Sequence, residues 1–186
     1  MCIEMWVGCA VLTKEWVRLG FTGKACECKL GGRYIPDGDL TRPEVQIDLQ
    51  DDLPNRRVYH SHLAVTCTTW IPLRALGGRT PTSRTRELPQ GDGTLPDEVA
   101  GNREVAIAFW YILSCLQLGV FFALEHPIPS RLWLLPFISY ILKVCHSVFI
   151  IDLDQCAWVK RPGDWEPHHG DVRTKRGPDS LPITHT

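Results

Sequence analysis

Residues 105–124, VAIAFWYILSCLQLGVFFAL, carry no charge over twenty positions, and this stretch limits the possible folds more than any other. About twenty apolar residues suffice to span a bilayer. A second apolar stretch, 132–151, follows after a short turn, so a membrane hairpin of two helices is one reading. The other is a helix that runs into a fully buried parallel strand, which produces an equally long uncharged run. Gly119 divides the first stretch into a helix-like part and the β-rich VFFAL, and the second contains Pro136, Lys143 and His146. These interruptions favour the helix-then-strand reading and argue against membrane insertion.

The rest of the chain alternates in the same way. IEMWV (3–7) reads as a short buried strand, and in VLTKEWVRLG (11–20) Val11, Leu12, Trp16 and Val17 share one helical face, with Gly20 at the C-cap position. GKACECKL (23–30) supplies a second strand, with Gly31-Gly32 as a turn. Thr41-Arg42-Pro43-Glu44 has the capping-box pattern for a helix reaching about Leu53. RRVYHSHLAV (56–65) is β-branched and aromatic. Residues 71–97, rich in Pro, Gly, Thr and Arg, read as a long surface loop. A helix is expected from Asp97 to Gly119, strands at 120–124 and 147–153, and a helix at 132–142. Strand–helix alternation predicts an α/β fold: a single Rossmann-like domain over 1–156, mostly parallel, with helices on both faces and an irregular tail at 157–186. Ligands of such a sheet bind at the carboxyl ends of its strands. Gly8, Glu27, Asp39, Cys67 and Glu125 each fall at or just after a predicted strand, so the architecture should gather them along one edge.

Net charge is −1 for 186 residues, so the chain as a whole has no electrostatic pull toward nucleic acid or membrane, and any DNA-binding surface must be local. Eight cysteines without a secretory signal, several of them in apolar runs, read as free thiols in a reducing, intracellular setting. Cys26-x-Cys28, His60-x-His62 and His168-His169 lack the spacing of a zinc site, so no metal is expected.

An ordered set of motifs carries a resemblance. VGCAVLTKEWVRLGF (7–21), CECKLGGRYIPDGDLTRPEV (26–45), HLAVTCTTW (62–70), RTPTSRTRELPQGDGTLPDEVAGN (79–102), FALEHPIPSRLW (122–133) and IIDLDQCAW (150–158) follow one another as do the segments of cytosine-5 DNA methyltransferases. The chain resembles the short phage and mobile-element members of that family, most specifically in Glu125-x-Pro127-x-x-Ser130-x-Leu132-Trp133. The resemblance implies a class I methyltransferase fold, S-adenosylmethionine as cofactor, DNA as partner, and action as a monomer. It also implies Cys67 as the nucleophile that adds to C6 of cytosine and Glu125 as the group that hydrogen-bonds or protonates N3. Backbone near Gly8 would face the amino-acid end of the cofactor, Glu27 its ribose and Asp39 its adenine. Arg84 and Arg86, together with Arg74, Arg79 and basic residues of the tail, would form a phosphate-contacting rim, and Trp70 and Trp158 would stand near the opening. Thr66 stands where the family has proline, and His126 where it has asparagine. A relative that binds without catalysing is the alternative of a different class.

Overall fold

The computed structural model describes residues 1–6, 10–30, 33–54, 57–72, 74, 81–152 and 173–175. It divides the chain into two compact units, Met1–Leu132 and Trp133–Thr186. Most of the expected tail, including Trp158, Lys160, Arg161, His168, His169 and Arg176, lies outside the described residues, as do Gly8 and Arg79.

The first unit is built on a four-stranded, wholly parallel sheet. Strands β1 (Cys2–Met5), β2 (Gly23–Cys26), β5 (His60–Leu63) and β6 (Phe121–Leu124) lie in the order β2-β1-β5-β6. All four β1 residues are buried, as expected for a strand inside a parallel sheet covered on both faces. Helix α1 (Val11–Arg18) packs against β1 and β2 and gives way to Gly20 at φ 88, the left-handed position that glycine occupies without a Cβ penalty. Helix α2 (Pro43–Asp52) precedes β5. Helix α3 (Pro96–Leu118) packs against β6.

Neighbouring residues of β5 show how the layers are arranged. The His60 ring meets Trp16 of α1 edge-on at 5.7 Å, whereas the Ser61 hydroxyl lies 3.0 Å from the Tyr111 hydroxyl of α3. Successive strand side chains point to opposite faces, so α1 and α3 cover opposite faces of the sheet. Ile3, Met5, Leu63, Tyr111, Ile112 and Cys115 are buried in the core.

The uncharged run 105–124 is broken where its composition indicated. Gly119, at φ 69, ends α3, and Phe121 begins β6. Among the described residues no helix is long and apolar enough to cross a membrane.

Two local expectations fail. The segment 23–30 is not one strand: the parallel strand ends at Cys26, and β3 (Lys29–Leu30) pairs antiparallel with β4 (Arg33–Tyr34). Nor does Thr41 cap α2. The N-cap is Arg42, with Pro43 in the first turn, and the Thr41 hydroxyl donates instead to Asp39. A nearer acceptor outcompetes the helix end.

The second unit holds α4 (Pro136–Val144) and an antiparallel pair, β7 (Ile150–Asp152) with β8 (Arg173–Lys175). A 3-10 turn, Arg131–Leu134, spans the junction.

Candidate active site at the carboxyl ends of the sheet

From β1 the chain moves to β2 on one side, then returns to β5 on the other. This reversal makes the carboxyl ends of β1 and β5 the topological switch point, where open α/β sheets leave a crevice for ligands. The turn leaving β1 carries an unusual backbone. Trp6 at φ 57 and Ala10 at φ 52 are both left-handed without being glycine, a conformation that costs on the order of 1 kcal/mol or more each. Predicted cofactor contact Gly8 lies between them, outside the described residues. Glu4, buried within β1, accepts 2.6 Å hydrogen bonds from the Thr13 N–H and hydroxyl and so fixes the first turn of α1 to the strand.

Glu27 follows β2 directly and is half-buried. The 3-10 turn Pro36–Gly38 rests on its backbone: a Cβ on Gly38 would lie 2.4 Å from the Glu27 carbonyl oxygen. The fold therefore brings Glu27 and the segment leading to Asp39 together, as the sequence suggested. Asp39 itself is well occupied. Its carboxylate accepts from the Thr41 N–H (3.0 Å), the Thr41 hydroxyl (2.7 Å) and the Tyr34 hydroxyl (2.8 Å). Burial works to raise its pKa, but these donors and nearby Arg42 hold it below the usual value.

Cys67 lies four residues beyond β5 in a half-exposed turn, and Glu125 comes immediately after β6. The Glu125 N–H donates to the Leu63 carbonyl at 2.8 Å, continuing the β5–β6 ladder by one bond. The two residues predicted to perform the chemistry thus leave adjacent strand ends. Their segments are tied further on: the Trp70 N–H donates to the Cys67 carbonyl at 2.9 Å, and the Arg131 N–H to the Trp70 carbonyl at 2.8 Å. The Glu125 carboxylate, half-exposed, lies 3.2 Å from His62 Nε2. His126 is buried, and its pKa is pushed down to about 4 by burial, against the pull of Glu125. Burial likewise pushes the Cys26 and Cys115 thiols up to about 11 and about 12, so these two are inert core groups, as the composition suggested. Among the described residues no group of three or more His, Cys, Asp or Glu side chains is placed to hold a metal ion.

The arginine-rich segment departs most from the sequence reading. Arg84 is buried, with only 6% of its surface exposed. Its guanidinium stacks on the Trp70 ring at 3.5 Å and donates to the carbonyls of Pro89 and Glu98 and to Asn102 Oδ1. Glu98, fully buried, accepts from the Thr82 hydroxyl and from the Ser83 N–H and hydroxyl. Arg84 is therefore a structural fastener and not part of a phosphate-contacting rim. Trp70, with 1% exposed, is core and not a residue of the opening. Nor is the 81–95 stretch a loose surface loop, since Arg84, Pro89 and Gly91 are buried and Arg84 and Asn102 bind it to α3. Arg86 is exposed. The cavity of about 40 Å³ beside this cluster, lined by Thr69, Trp70, Thr82, Arg84 and Arg131 among others, has room for about three waters and none for a base.

The sequence reading missed His62 and Glu4 as partners of the site. His62 carried a usable signal, because it shares a strand face with His60 and sits one residue before the strand end.

Together these features define an α/β protein with an open parallel sheet and a candidate site at its switch point. No protein-family model, curated protein or solved structure matches the chain.

Proposed function

We propose that the chain transfers a methyl group from S-adenosylmethionine to C5 of cytosine in DNA, with Cys67 as nucleophile and Glu125 as the acid at N3. The observation that carries this reading is that both side chains leave adjacent parallel strands, β5 and β6, beside the switch point. Reversal of the sheet order at β1 and helices on both faces support a Rossmann-like methyltransferase fold.

C5 of cytosine is a poor nucleophile. Attack by the Cys67 thiolate forms an S–C6 bond and pushes an electron pair into the ring, while Glu125 offsets the charge that develops at N3. C5, now enamine-like, takes the methyl group, and loss of the C5 proton to solvent base expels the thiolate and restores the ring. S-adenosylmethionine supplies a methyl group on a sulfonium, whose leaving group is a neutral thioether. The target base must leave the duplex to reach the site. Glu27, half-buried beside the Gly38 turn, suits a ribose hydroxyl. Asp39 Oδ2 has one hydrogen bond from Tyr34 and keeps acceptor capacity for an adenine amino group. Arg86 remains available to DNA phosphate, and Arg84 does not.

A second reading, a relative that binds the cofactor without transfer, is favoured by the His62 contact on the Glu125 carboxylate and by His126 in place of asparagine. Calorimetry with S-adenosylmethionine and S-adenosylhomocysteine, paired with methyl transfer to cytosine-containing DNA, separates the two. Binding with transfer that is lost in Cys67→Ser supports the first reading; binding without transfer selects the second; no binding removes both.

A further inference from the structure

His62 lies opposite Glu4 of β1 and Ala123 of β6 in the parallel register of the sheet. Its face is the one that α1 covers, since His60, two positions earlier, meets Trp16 and Glu4 binds Thr13. Glu125 comes two residues after Ala123, and its N–H continues the β5–β6 ladder by donating to the Leu63 carbonyl. Strand alternation therefore returns the Glu125 side chain to the His62 side, where Nε2 stands 3.2 Å from Oε2. The two partners differ in freedom. The imidazole, inside a strand, has 14% of its side chain exposed, whereas the carboxylate, past the strand end, has 50%. An anchored ring thus holds the end of a longer, more rotatable side chain, whose ordering otherwise falls to the ligand.

We propose that His62 is the positioning residue of Glu125: its Nε2–H donates to Oε2, fixes the orientation of the carboxyl group and decides which oxygen acts on the ligand. In a carboxyl group the carbonyl oxygen is the better acceptor, so a ring N–H on Oε2 places the acid proton on Oε1. Oε1 is then the atom that meets N3 of the cytosine ring. This inference rests on the reading of Glu125 as the acid at N3, but the contact itself does not. It gives the contact the opposite sense to the one in which the imidazole occupies the carboxylate and keeps it from a ligand.

The test is steady-state methyl transfer to cytosine-containing duplex DNA by the full chain, with kcat and KM for DNA measured for His62→Leu and His62→Gln. His62→Leu keeps bulk and loses the donor, so kcat should fall roughly tenfold while KM for DNA stays within about twofold, the split expected when orientation for the chemical step is lost. His62→Gln, whose amide N–H can stand where Nε2 stands, should recover most of the rate. In a Glu125→Ala background His62→Leu should change kcat by less than about twofold, since His62 acts only through that carboxylate. A merely structural role would lower both backgrounds alike. If His62→Leu fails to fold, His62→Gln compared with His62→Asn, whose shorter amide falls short of Oε2, decides on the same terms. An unchanged kcat in His62→Leu, or an equal loss in both backgrounds, overturns the proposal. A raised kcat, or transfer gained from an inactive parent, also overturns it and assigns the contact to blocking. A parent and variants that all lack transfer remove the reading of Glu125 and this inference with it, whereas parental transfer that is indifferent to His62 removes the inference alone.

Discussion

Glu98 and Glu125 are two carboxylates of the same unit in opposite circumstances. Glu98 is fully buried, with three donors on its oxygens and the Arg84 guanidinium 4.0 Å away. Glu125 is half-exposed at a strand end, with His62 at 3.2 Å. A buried carboxylate held by several donors stabilises the structure it joins, whereas a half-exposed carboxylate at a strand end can be reached from solvent. The same contrast separates the arginines: Arg84 is locked into Glu98, Pro89 and Asn102, and Arg86 is free at the surface.

The difference can be broken from either side. If Glu125 and Cys67 belong to chemistry, Cys67→Ala should reduce methyl transfer by roughly ten-thousandfold, and Glu125→Gln by about a hundredfold or more, both with melting temperatures close to the parent. A large fall in melting temperature for either would move it into the structural class. If Glu98 belongs to architecture, Glu98→Leu should destabilise the fold by about 3–5 kcal/mol in urea titration, because Arg84 is left as an uncompensated buried charge. A stable Glu98→Leu protein that has lost only activity would reverse the assignment. Gly38→Ala should cost about 1–3 kcal/mol, since its Cβ would overlap the Glu27 carbonyl and backbone has to move. Full stability in that variant would mean that the Gly38 turn does not hold Glu27.

The smallest effect concerns pH. Buried His126 titrates near 4 in the fold and near 6.5 when unfolded, so the unfolded chain binds more protons between those values. Its contribution is fully present above about pH 6.5 and is lost as pH falls toward 4, at a slope of about 1.4 kcal/mol per pH unit within that window. Replacing it by His126→Asn should flatten stability across pH 4–6.5, as read by urea midpoints; an unchanged slope would mean that the imidazole is already protonated in the fold.

Much of the architecture was legible because it depends on short-range patterns. The extent of α1, the left-handed Gly20 that follows it and the break at Gly119 are set by residues within a turn of one another, whereas the apolar face read for α1 is not buried: Val11 and Val17 are exposed. The carboxyl-edge placement of Glu27, Cys67 and Glu125 followed from strand–helix alternation alone. What escaped was decided by partners distant in the chain. Arg84 looked like a solvated charge in a Pro- and Gly-rich loop, and only Trp70 and Glu98, each fourteen positions away, bury it. The Thr41 capping box lost to Asp39, an acceptor two residues off that periodicity does not weigh. The His62–Glu125 pair spans sixty-three positions and exists only because β5 and β6 are neighbours.

The shortest route to the central claim is a DNA duplex carrying 5-fluorocytosine, incubated with the protein and S-adenosylmethionine and analysed by mass spectrometry of the peptide–DNA conjugate. Fluorine at C5 cannot leave as a proton does, so the S–C6 bond should persist, with the adduct mapped to Cys67 and absent in Cys67→Ser. A conjugate on another residue, or none under conditions where the cofactor binds, would contradict the account.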